Sequence, residues 1–291
     1  MRLALAALVF VMAPQDKTAL KWKFSKDQAL RWDMSQKNVI ESDAITSDQD
    51  FKFVLKQTVK DVSDKGEATI DTTFEVVKFT LSGFGDSTYD SEKDKKAPDD
   101  PIGQALASLL GQTFTMKMDA AGTVTSVKGF DKISDKMVEP LDEGAQMAKN
   151  WIRAMYNDDV QKAMMQQAFV QLPAEPVAAG AKWSNDFSTN LPMAGSLDFA
   201  VASTLKSVGK EGAQIESIIK VTAGKGGGGM LEVGESKGTR TCVFDPERGL
   251  LTENAMDVQV TLKLGDSEIP LKLVTRMKPL PANVASKDEK K

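Results

Sequence analysis

The chain has 291 residues, 41% hydrophobic and 27% charged, the balance of a globular protein able to bury a sizeable core. Its 37 basic and 41 acidic residues leave a net charge of −4, and no run of Lys or Arg is interleaved with aromatics. That excludes the concentrated positive footprint on which nucleic-acid binding draws. Histidine is absent, which removes Ser-His-Asp and Cys-His catalysis, histidine metal sites and the usual proton shuttle near neutral pH.

The N-terminus reads MRLALAALVFVMAPQDK. Its apolar run, Leu3 to Ala13, is shorter than the roughly 20 residues that span a bilayer core but suits the h-region of a signal peptide. Val11 and Ala13 occupy the small-residue positions before a cleavage site, although Pro14 is a poor residue directly after one. Residues 1–19 are therefore expected to be a signal peptide or apolar leader, and the protein extracytoplasmic, periplasmic or secreted. No cysteine follows the run, so a bacterial lipid anchor at that place is excluded.

LKWKF and LRWDMSQ read as two strands, with Trp22 and Trp32 as large apolar anchors. Phe51, Phe53, Leu55 and Val59 then alternate with Lys52, Lys56 and Lys60, the period of a strand with one buried face. After the turn SDKG, Ala68, Ile70, Thr72, Phe74 and Val76 alternate with polar residues, so Phe51 onward reads as a long antiparallel hairpin. A charged loop, DSTYDSEKDKKAPDDP, precedes a short helix from Ile102 to Leu110. A second hairpin, GQTFTMKMDAAGTVTSV, turns at Asp119 to Gly122. These elements make a first half, 20–130.

Between 131 and 180 the period changes. Leu141, Ala145, Ala148, Trp151, Ile152 and Met155 recur at helical spacing, and NDD offers a cap before Val160, Met164 and Ala168. Two amphipathic helices are expected, Glu139 to Tyr156 and Asp158 to Gln171. LPAEPVAAG then connects to a second half, 181–280.

There Leu197, Phe199, Val201 and Leu205 lead to a turn at Gly209 to Gly212, with Ile215, Ile219 and Val221 returning. Aligned without gaps, Phe53 to Gly66 and Phe199 to Gly212 share Phe53/Phe199, Thr58/Thr204, Lys60/Lys206, Val62/Val208 and Gly66/Gly212. Each block is followed by a further hairpin; the later one, GTRTCVFDPERGLLTE, turns at Asp245 to Gly249. The shared order of elements points to duplication of an antiparallel meander. Val258 to Leu273 forms a last hairpin, and residues 281–291 a charged tail.

No motif carries chemistry. Cys242 is the only cysteine, so no intrachain disulfide forms, and its strand-like surroundings suit a buried, inert thiol. GESKG fits the nucleophile-elbow pattern at Ser236 but lacks a base and a strand-to-helix context, and reads as a turn. GKGGGG opens no helix toward a phosphate and reads as an inter-strand loop. Asp86, Asp90, Glu92, Asp94, Asp99 and Asp100 share one loop, but their spacing fits no EF-hand and neighbouring lysines counter the charge. The 14 methionines suit an irregular core or an adaptable surface for an apolar ligand.

Taken in order, the apolar leader, LKWKF, the first hairpin, LASLLGQTFTMKMDAAGTVTSVKGFDKI, the helices, LPAEPVAAGAKWS and the second hairpin resemble a family of secreted bacterial proteins catalogued only as a domain of unknown function. The resemblance covers roughly Leu20 to Leu280; it implies export and a single repeated architecture, and brings no catalytic residue. At the level of fold alone, the chain is also similar to bacterial lipoprotein carriers, whose helices cover the concave face of a curved half-barrel.

The expected fold is α+β, mainly antiparallel: two repeated meanders form a curved sheet or half-barrel, and the intervening helices pack on its apolar face. The expected function is non-enzymatic binding or carriage of a hydrophobic, lipid-like ligand, without cofactor or metal. Phe53, Phe74, Met155, Met164, Phe199 and Ile219 are the wall positions to face it. A structural or interaction module with an envelope-protein partner is the alternative, and a carboxylate-based hydrolase the third reading.

Overall fold

The computed structural model describes residues 16–42, 46–83, 86–191, 195–224 and 232–281. Most of the leader, most of the glycine run and the charged tail lie outside them.

The strands join one 12-stranded antiparallel sheet. β1 (Ala29–Glu41), β2 (Thr46–Val62) and β3 (Ala68–Ser82) form a meander, with the short β4 (Ser87–Asp90) paired to β3. After α1 (Pro101–Ala107), β5 (Thr113–Met118) and β6 (Val124–Lys128) extend the sheet from β3 to its edge. Three helices follow: α2 (Phe130–Val138), α3 (Gln146–Met155) and α4 (Asp158–Ala168). The second half is an unbroken meander: β7 (Lys182–Leu191), β8 (Gly195–Gly209), β9 (Gly212–Ala223), β10 (Glu232–Asp245), β11 (Leu250–Leu264) and β12 (Ser267–Leu280).

The sheet order is β6-β5-β3-β2-β1-β12-β11-β10-β9-β8-β7. β1 and β12 meet in its middle, paired from Arg31/Leu280 to Ile40/Leu271. The edges are β6 and β7, and α4 packs on both. A single helix thus covers two exposed edges, a recognised way to stop strands from templating another chain.

Both halves run through the sheet in the same direction, and their matching extends to irregularities. β2 and β3 slip register between Val59 and Asp61, and β8 and β9 slip between Leu205 and Ser207, the positions the sequence alignment equates. Val59 faces Ile70 and Leu205 faces Ile215, all four buried. Each hairpin also buries a polar pair at the same register: Gln57 Nε2 donates to Thr72 Oγ1 (3.3 Å), and the hydroxyls of Ser203 and Ser217 lie 2.8 Å apart. At Gly212 the backbone is left-handed (φ +119°), and a Cβ would lie 2.6 Å from the Phe244 carbonyl oxygen. Glycine is required where the second hairpin turns under its neighbour.

Several local expectations are corrected. LKWKF is not a strand: it crosses the hairpin turns, held by single bonds from Trp22 N–H to the Ala120 carbonyl (2.9 Å) and from Lys23 N–H to the Gly249 carbonyl (3.1 Å). Its anchors still bury Leu20 and Trp22. Val76 is not the inward residue at its end of β3. A bulge between Val54 and Leu55 leaves Glu75 unpaired in the ladder, and the alternation resumes on Val77 and Phe79. The expected helix from Glu139 to Tyr156 starts only at Gln146, because Pro140 and the turn after it interrupt the pattern. Ahead of it α2 was not anticipated, although Phe130, Ile133 and Met137 fall on one buried stripe with Asp131 in the first turn and Lys136 in the last. α1 and α4 stop at Ala107 and Ala168, short of the expected Leu110 and Gln171.

GESKG is not a turn either. It lies within β10, where the Ser236 hydroxyl accepts from Val221 N–H (2.8 Å) and donates to the Val221 carbonyl (2.7 Å), beside a register slip against β11. The acidic loop is tied up internally: Asp90 pairs with Lys78 (3.1 Å) and Lys93 (3.2 Å), and Asp100 caps α1 through Gly103 N–H (2.7 Å). Among the described residues no helix is long and apolar enough to cross a membrane.

Candidate functional site: a cavity beneath the helices

The inner face of the sheet carries two separate apolar clusters. The larger fills the first half and continues across the join into the second, through Leu205, Ile215, Cys242 and Phe244. Phe53 and Phe74 meet edge to face with centroids 5.6 Å apart, and Phe74, Phe114 and Phe130 continue the aromatic packing at 4.6 to 6.5 Å. α2 supplies Phe130, and its first N–H donates to Asp158 Oδ1 at the start of α4 (2.8 Å), so the two helices are set on this core together. Asn157 caps α4 by accepting from the N–H groups of Asp159 (3.1 Å) and Val160 (3.0 Å), as NDD predicts.

The smaller cluster belongs to the second half alone: Leu197, Phe199, Val201, Ile219, Val221, Met256, Val258 and Val260. Here the sheet wall is not met by a filled core. Between it and the ends of α3 and α4 lies a cavity of about 200 Å³. Met155 and Met164 line it from the helices and Phe199 and Ile219 from the sheet. Phe187 stacks flat on Phe199 with centroids 4.8 Å apart and forms part of the same wall. The structure thus brings together four of the six expected wall residues. Phe53 and Phe74 are not among them; both lie in the packed aromatic core of the first half. Larger depressions of about 650 and 490 Å³ are surface grooves lined mostly by polar and charged side chains.

A row of residues paired across six strands separates the two clusters: Ser203, Ser217, Arg240, Met256, Thr275 and Gln36. On one side of it stand Leu205, Ile215, Cys242, Met277 and Met34 of the main core. Val201, Ile219, Val258 and Leu273 of the cavity wall stand on the other. Arg240 was not anticipated as a site residue. A readable signal was present, because Gly238, Arg240, Cys242 and Phe244 alternate toward one face of the strand and three of the four are small or apolar.

Arg240 is 5% exposed. Its Nη2 donates to the Gln167 carbonyl at the end of α4 and approaches Met256 Sδ (3.5 Å). Asn254 Nδ2 donates to the next carbonyl, Ala168 (2.9 Å), so two sheet side chains satisfy carbonyls that the helix end leaves orphaned. The Arg240 Nε and the Asn254 Oδ1 are buried without partners. Desolvation pulls the Arg240 ionisation below the ordinary arginine range. Burial pushes the Cys242 thiol up to about 12, so it stays neutral near pH 7 and offers Arg240 no countercharge.

No curated protein matches the chain by sequence. Among solved structures, one titled "Lipid-protein interactions in lipovitellin" is similar over 91% of this chain and 26% of its own, at 10% identity and a TM-score of 0.48. This chain therefore spans about a quarter of the length of that lipovitellin chain. OccK5 (OpdH) from Pseudomonas aeruginosa is similar over 88% of this chain and 99% of its own, at 8% identity and a TM-score of 0.25. Likenesses this distant bear on neither ligand nor activity. One family model matches residues 65–250, from the turn before β3 through the helices to the start of β11, and the chain belongs to that family, a family of unknown function (DUF6263).

Proposed function

We propose that this chain is a non-enzymatic, extracytoplasmic binding or carrier protein for a small hydrophobic, lipid-like ligand. The observation that carries the reading is the contrast between the halves. The inner face of the first meander is filled by aromatic rings, while the part of the second that lies beyond the Arg240 row faces about 200 Å³ of space. Protein interiors pack with few voids larger than a water, so apolar space of this size is costly unless something occupies it. It exceeds the ~150 Å³ of an engineered apolar cavity that takes up benzene, and falls below the ~300 to 1,000 Å³ of drug-sized sites. The fit is to one short apolar chain rather than to a whole diacyl lipid. Met155 and Met164, whose unbranched thioethers change shape at little cost, give the helix side of the wall tolerance for such a chain.

The test is to fill the space. Ile219→Trp projects an indole into the cavity from the middle of the sheet wall. The variant is expected to keep or raise its melting temperature and to lose calorimetric binding of 1-octanol. A wild type that takes up no 1-octanol, and that carries no apolar molecule in native mass spectra after isolation from its own host, would favour the interaction module instead.

A further inference from the structure

Resting on that reading, we propose that the ligand is anionic, a single-chain amphiphile whose carboxylate pairs with Arg240 while its chain lies along the apolar wall of the second half. The polar row sets this orientation. Arg240 and Thr275, both nearly fully buried, and Gln36 border the cavity on one side, and every paired row beyond them toward Leu271 and Leu262 is apolar where it faces the space. A head group at the row meets hydrogen-bonding side chains, and a chain beyond it meets only hydrocarbon.

The charge makes the case. A buried guanidinium normally stands opposite a carboxylate, because an unpaired ion in an apolar site costs several kcal/mol. Arg240 has no ion-pair partner among the described residues and keeps one donor, Nε, unused. The α4 carbonyl it does contact supplies only the partial charge of a helix end. Arg240 is more than a helix dock, because Asn254 performs that task on the adjacent carbonyl without a charge.

The duplication supplies an independent comparison. Gln57 and Thr72 of the first copy correspond to Ser203 and Ser217 of the second. The residue facing Thr72 is Phe114, and the residue facing Ser217 is Arg240. The same position in the sheet holds a ring where the core is filled and a cation where it is open.

Calorimetric titration with octanoate and with 1-octanol at pH 7.5 separates head group from chain. Wild type is expected to prefer octanoate by on the order of ten-fold or more, the worth of a desolvated charge-assisted hydrogen bond. Arg240→Gln should lose the preference for octanoate over 1-octanol, while Arg240→Lys, which keeps the cation, should retain part of it. Equal affinity of wild type for the two probes overturns the head-group assignment and leaves the apolar cavity standing. Binding of neither probe overturns both. If Arg240→Gln does not fold, the wild-type comparison still decides.

Discussion

At the scale of single residues, Cys242 and Arg240 show how one strand face holds two groups with opposite needs. The Cys242 thiol is buried beside the main core, and burial raises its ionisation from 9.0 to about 12. Tyr156 is likewise pushed up by burial, to about 12. For both groups the folded protein holds the proton more tightly than the unfolded chain does. Their contribution to stability is complete below the unfolded values and is lost as pH rises through the folded ones. The urea midpoint is therefore expected to fall between about pH 9 and 12, and Cys242→Ala should flatten the early part of that fall. The native thiol should resist iodoacetamide at pH 8 and react on unfolding; rapid native alkylation would show that the strand opens. Cys242 was legible as an inert thiol because its neighbours alternate in one pattern. Arg240, two residues away, obeys the same alternation, but an arginine on a strand ordinarily marks the solvent face, and composition alone does not show that its partner is missing. Phe53 and Phe74 erred in the other direction. Periodicity places a ring on the inner face, yet whether that face is filled depends on α2, whose Phe130 closes it from a distant part of the chain.

At the scale of elements, the strands were more legible than the helices, for a physical reason. The long strands repeat a period of two over a dozen or more residues and their hairpins are punctuated by Gly or Asp, whereas α2 and α3 are short, share one apolar stretch and are divided by Pro140. The bulge that re-aims β3 leaves only a slight mark, the adjacent Val76 and Val77 at which the apolar alternation changes phase. α4 matters most among the helices, since it joins both edges of the sheet. Its Gln166 side chain is buried against the edge strand β6: Oε1 accepts from Val124 N–H (2.8 Å) and Nε2 donates to the Gly122 carbonyl (3.1 Å). Gln166→Ala leaves both backbone groups buried without partners, at about 1 to 3 kcal/mol each. We expect a stability loss of about 2 kcal/mol or more by urea denaturation for Gln166→Ala, against almost none for the exposed Lys162→Ala on the same helix. If the two variants lose equal stability, the Gln166 bonds do not hold the edge.

At the scale of the whole molecule, duplication invites the view that the halves are separate folding units, and the sheet argues against it. The first copy does not pack against the second face to face, as two domains would. Instead β1 and β12 make the central pair of one ladder, and the residues buried on both sides of that seam, Met34 and Met277, belong to the same core as Phe74 and Phe244. At the far ends, α4 touches β6 of one copy and β7 of the other. Separating the halves would therefore break a paired ladder, split the main cluster and uncover two edges at once. That penalty exceeds what either half can recover, because β6 and β7 become unprotected edges and β1 and β12 become new ones. A single cooperative unfolding transition follows. Trp32 in β1 reports on the first copy and Trp183 in β7 on the second, so Trp-to-Phe variants that keep one or the other allow each half to be followed by fluorescence alongside circular dichroism. The transitions are expected to coincide in urea, and saturating 1-octanol should shift them together, because a ligand bound in the second half stabilises whatever unfolds with it. Two resolved midpoints, with only the Trp183 signal moved by the ligand, would show that the seam between β1 and β12 is a contact between units and not the centre of one.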